Sequence, residues 1–143
     1  MKLPRVGADR NSGIAAGLVS VTILTGCAGG VALHERAEVA VITDSGFLTG
    51  DEAAISGMVS ITNPGCVGIA DSDGTVYPTI WPRGTTLVDA STAAIDIPGV
   101  GGMQQGDAIK GSGGYYGTEG REVLVEVAER CDWDGEVIGI RFE

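Results

Sequence analysis

The stretch ISGMVSITNPGCVGIADSDGTVYPTIW, Ile55 to Trp81, decides the fold class. From Ile55 to Thr62, apolar residues alternate with small or polar ones, the period-2 signature of a half-buried strand. Asn63-Pro64-Gly65 is a turn signal. Cys66 to Ala70 resumes as a strand, Asp71-Ser72-Asp73-Gly74 reverses the chain, and Thr75 to Trp81 returns it as a hairpin. Pro78 has no N–H for a ladder, so it is expected at an edge or a bulge.

The same grammar continues toward the C terminus. Pro82-Arg83-Gly84 turns before a short strand from Thr85 to Val88. Ala93 to Ile97, Ala108 to Lys110, Val123 to Val127 and Val137 to Phe142 follow as strands. Glycine-rich connectors, Pro98 to Gly102 and Gly111 to Gly120, separate them. Glu119 to Arg130 contains good helix formers, but its centre is β-branched and alternating, which favours a strand. The 24 glycines follow no collagen period and fall beside Asp, Asn and Pro, as tight turns require. Short strands at spacings near ten residues predict an all-β domain, a small barrel or sandwich of the OB-like Greek-key kind.

The formal net charge is -10. Lys2, Arg5 and Arg10 against Asp9 make residues 1–26 basic, at +2, so residues 27–143 stand near -12. An acidic domain is a poor binder of nucleic acid or of an anionic bilayer. Behind the basic residues lies an apolar run, Ile14 to Leu24, far shorter than the ~20 residues that cross a membrane. It has the length of a signal-peptide core. The junction Leu24-Thr25-Gly26-Cys27 resembles the lipobox of bacterial lipoproteins. That resemblance implies a diacylglycerol on Cys27, cleavage just before it, and anchoring at the extracytoplasmic face of the cell membrane. The alternatives are an ordinary signal peptide cut near Ala28, without lipid, and an uncleaved anchor, against which the short length argues. The expected organisation is a signal peptide over 1–26, a lipidated N terminus and linker over 27–51, and a β domain over 52–143. His34, the chain's single histidine, falls in that linker and is expected to be solvated.

The segment from Gly65-Cys66 through Trp81-Pro82-Arg83-Gly84-Thr85 resembles small domains of actinobacterial and phage proteins. So does Gly106-Asp107 with Gly111-Ser112-Gly113-Gly114-Tyr115. Neither resemblance brings catalytic residues with it.

With Cys27 lipidated, Cys66 and Cys131 form an even pair in an exported domain, which predicts a disulfide. Two buried thiols or a metal site are the alternatives, although structural zinc wants four ligands. A hydrolase triad is not expected, because the only histidine lies outside the β domain. No carboxylate pair is singled out for acid–base work, so no enzyme is expected. The glycine-rich segments lack the Lys-Ser/Thr of a phosphate-binding loop.

Two Asp-x-Asp-Gly turns stand out: Asp71 and Asp73, and Asp132 and Asp134. If the disulfide draws them together, their carboxylates could hold calcium, which prefers oxygen ligands; otherwise no cofactor is expected. Trp81, Trp133, Tyr77, Tyr115 and Tyr116 sit at or beside turns, and exposed aromatics often mark binding faces. The tryptophans could equally fill a small core. The expected function is a membrane-anchored, non-enzymatic binding module with an envelope or phage protein as partner. A signal, a lipobox and a compact acidic domain look like superinfection-exclusion lipoproteins of phages and prophages. The alternative is an envelope lipoprotein in complex assembly or small-ligand binding.

Overall fold

The computed structural model describes residues 20–24, 30–46, 48 and 53–143. Cys27 lies outside them. The described chain is dominated by strands, as the alternation predicted. Five of them close a barrel: β4 (Ala53–Ile61), β5 (Val67–Ala70), β6 (Val76–Trp81), β10 (Ala108–Tyr116) and β11 (Val137–Arg141). Around the barrel the order is β4-β5-β6-β11-β10 and back to β4. The β6–β11 pairing is parallel and the other four are antiparallel. Numbered within the barrel this is 1-2-3-5-4-1, the strand order of an OB-like Greek key. Between β6 and β10 the chain makes a separate three-stranded sheet, β7 (Thr86–Asp89), β8 (Ala94–Ile97) and β9 (Gly101–Met103).

The barrel is narrow, and glycine permits its closest approaches. At Gly68 a Cβ would run into the backbone carbonyl of Tyr77 on the paired strand. Pro78 faces that same glycine. It occupies the last β5–β6 pair, just before another strand, β3 (Val39–Asp44), takes over the same edge of β6 at Ile80. The missing N–H therefore falls where the ladder changes partner.

Residues 31–44, expected as linker, are instead part of the fold. β2 (Val31–Arg36) and β3 (Val39–Asp44) form a hairpin, and β3 pairs in parallel with β6. The hairpin turns through Ala37 (φ 49°) and Glu38 (φ 65°), both left-handed. This two-residue geometry usually calls for Asn or Gly, which is why the sequence did not announce it. β3 is buried on both faces. Val39 and Val41 join the barrel interior, while Ala40 and Ile42 join a second core. His34 is part-buried on β2, with Nε2 3.2 Å from the Thr43 hydroxyl, rather than solvated. β1 (Ser20–Leu24) pairs antiparallel with the outer edge of β2.

A second correction concerns residues 122–130, which form a helix, α1 (Glu122–Arg130), not a strand. As a strand, Val123, Val125 and Val127 would share one face with Leu124 opposed. The helix instead gathers Val123, Leu124 and Val127 on its buried face and leaves Val125 outside. That face closes the second core over Val31, Leu33, Ile42, Ile80 and Val137. Tertiary burial overrides local β preference here.

The disulfide is present. Cys66 and Cys131 are joined, both essentially buried, with Cα atoms 5.7 Å apart. It ties the start of the second barrel strand to the end of α1. Arg130 adds to this tie through an ion pair with Glu35 and a bond to the Glu38 carbonyl at 3.3 Å.

Candidate functional site

In barrels of this strand order, ligands usually meet the outer face of the second and third strands and the loops joining strands 1–2 and 4–5. Here that face is already occupied. Cys66 and Ile80 on it pack under Val123, Leu124 and Val127 of α1 and against Ala40 and Ile42 of β3. Any binding surface at this end must lie on the covering layer.

The segment leaving α1 builds such a surface. Asp132 takes a left-handed conformation, φ 48°. The Asp132 N–H donates to the Glu129 carbonyl at 3.3 Å and the Trp133 N–H to the Ala128 carbonyl at 2.9 Å. This is the Schellman pattern of a helix C terminus. The Asp132-Trp133-Asp134-Gly135 turn is thus a helix cap and not a hairpin. The cap throws Trp133 sideways. Its indole N–H donates to the Glu136 carbonyl at 2.8 Å. Gly135 lies beneath it, where a Cβ would come within 3.1 Å of the ring.

Tyr77 of β6 meets Trp133 edge-on at 5.6 Å between centroids, and meets Tyr115 of β10 at the same distance. Tyr115 is 45% exposed, and Trp133 is partly so. The three rings make a continuous aromatic strip. Burial first, and then the negative charge of Asp71, whose carboxylate also accepts a hydrogen bond from the hydroxyl, push the Tyr77 phenol above its ordinary pKa. A groove of about 450 Å³ opens beside Trp133, walled by Val125, Ala128, Glu129, Asp132 and Asp134. Positions 125, 128, 129 and 132 follow the helical i, i+3, i+4, i+7 spacing, so the outer stripe of α1 forms the wall.

Other aromatic candidates lie elsewhere. Trp81 is fully buried in the barrel interior, with its indole N–H donating to the Val67 carbonyl at 3.1 Å. It is a core residue, clustered with Ile55, Ile69, Ile138 and Ile140. Tyr116 is buried in the second core with the Arg121 guanidinium 5.5 Å over its ring. Strand alternation separates it from exposed Tyr115.

The structure does not group Asp71, Asp73, Asp132 and Asp134 as a metal-holding cluster. Among the described residues no three His, Cys, Asp or Glu side chains are placed to hold a metal ion. Asp71 serves its own turn, accepting the N–H groups of Asp73 at 2.9 Å and Thr75 at 3.0 Å. It therefore belongs with Tyr77 and does not join Asp132 and Asp134 in a cage.

No family model, no curated protein and no solved structure matches this chain. Among the described residues no helix is long and apolar enough to cross a membrane.

Proposed function

We propose that this chain is an extracytoplasmic bacterial lipoprotein, anchored through Cys27, whose β domain is a non-enzymatic binding module. The observation that carries the binding role is the fixed, partly exposed Trp133 beside a groove. Its N–H is satisfied internally and its ring is wedged against Tyr77, so it pays little entropy on contact. The Cys66–Cys131 disulfide supports export, since such bonds persist in oxidising compartments. The Leu24-Thr25-Gly26-Cys27 motif supports the lipid. The paired cysteines also leave no free thiol nucleophile among the described residues.

The partner is an envelope protein or an incoming phage protein, and exclusion of a second infecting phage is the specific form of this role. Palmitate labelling of the wild type and of Cys27→Ser tests the anchor; a variant processed and membrane-bound like the wild type would refute it. Plating a broad phage panel on cells with and without the gene tests exclusion. Plaque counts should fall for at least one phage, and fall less with Trp133→Ala. Equal counts throughout would remove the exclusion role.

A further inference from the structure

We propose that the Trp133 groove takes a cationic segment of a partner protein, an extended run bearing arginine or lysine side chains. The proposal rests on the groove being the binding face and adds the chemistry of what enters it. Three carboxylates, Glu129, Asp132 and Asp134, line the groove, and no lysine or arginine is among its lining residues. Arg130, next in sequence, is turned away to Glu35 and Glu38 on the β2–β3 hairpin. Asp71 and Glu136 extend the negative field past Tyr77.

The groove is not purely acidic, and that selects among cations. Val125, 43% exposed, and Ala128 offer an apolar wall of the length a side-chain stem can lie along. Trp133 offers ring surface, the best partner for a guanidinium or ammonium group. Its N–H is already used, so the ring acts as a platform and not as a donor. Phosphate-bearing polymers are repelled by the same carboxylates. A sugar would want a mixed set of donors, and Thr118 supplies the only hydroxyl lining the groove. A larger hollow, about 670 Å³, is lined by Lys110 and Arg141 with Glu143 as its one carboxylate, so it offers a cation less.

The test follows Trp133 emission, because Trp81 is sealed in the core. The processed chain, purified as the host delivers it, is titrated with a short Arg-Gly peptide, a Glu-Gly peptide and a neutral Ser-Gly peptide. The arginine peptide should shift the emission saturably. Its affinity should fall roughly tenfold or more between low and physiological salt. Glu129→Gln with Asp134→Asn, both exposed sites, should weaken it by about tenfold while leaving the melting temperature unchanged. Trp133→Leu should remove binding measured by calorimetry.

Failure of the arginine peptide to bind, or equal binding of the neutral or acidic peptide, overturns the proposal. Capture of envelope proteins that depends on Trp133, without arginine-peptide affinity, would overturn the ligand class alone. Loss of both would overturn the binding face as well.

Discussion

Asp132 plays a part in the fold that its local sequence does not suggest. In sequence it belongs to an Asp-x-Asp-Gly turn, and such turns suggest hairpins or calcium. In the structure it is the left-handed residue that ends α1. A carboxylate there opposes the helix dipole. Asp132→Asn keeps the tolerance for positive φ and removes the charge, so it should stabilise the fold by about 0.3–1 kcal/mol. Asp132→Val should destabilise by about 1–2 kcal/mol. Urea denaturation of the two variants checks both signs. Gly135→Ala should push the indole off its seat and shift Trp133 emission toward that of solvated tryptophan. Unchanged emission would mean that the bond to the Glu136 carbonyl and the contact with Tyr77 hold the ring without the space at Gly135. The raised pKa of Tyr77 also has a sign. The folded chain keeps a proton that the unfolded chain releases above its ordinary value of 10.0. That contribution is complete below the unfolded value and is lost as pH rises through the folded one. Tyr77→Phe should therefore flatten the alkaline fall of melting temperature; an identical alkaline limb in both proteins would count against the assignment.

Elements were legible where one local signal sufficed. The hairpin of β5 and β6 could be read because alternation and turn chemistry agreed over Ile55 to Trp81. The β2–β3 hairpin could not, since Ala37-Glu38 carries none of the usual turn residues and the charges around it resemble a tether. α1 was hidden because Val123, Val125 and Val127 satisfy a strand pattern as well as half of a helical one. What decides for helix is a core that only the folded barrel presents. The disulfide fastens that helix. Closing a loop of 65 residues is worth about 4 kcal/mol in the chain-entropy model. Cys66→Ala with Cys131→Ala should lower stability by about 2–4 kcal/mol, and hydrogen exchange should rise first in α1. β1, by contrast, only lines the outer edge of β2, and the barrel closes without it. A chain beginning at residue 27 should therefore retain the barrel's circular dichroism and exchange protection. Global unfolding of that chain would show that β1 is integral.

At the scale of the molecule, the sequence disclosed the class and not the covering layer. A small Greek-key barrel follows from many short strands. That its usual ligand face would be closed by α1 and β3 depends on contacts between Val123 or Val127 and Ile42 or Ile80, residues far apart in the chain. The same distance explains the aromatic strip. Tyr77, Tyr115 and Trp133 could be flagged singly, but only closure of β6 and β10 around β11 sets them side by side.

The direction of β2 carries one more consequence. The strand starts at Val31, four positions after Cys27, and its six residues run about 17 Å to the turn at Ala37 and Glu38. Arg130 and the end of α1 dock at that far turn. A lipid on Cys27 would hold the near end of β2 within roughly 13 Å of the bilayer. The end of α1, from which Trp133 departs, would then lie at the opposite end of β2 from the lipid.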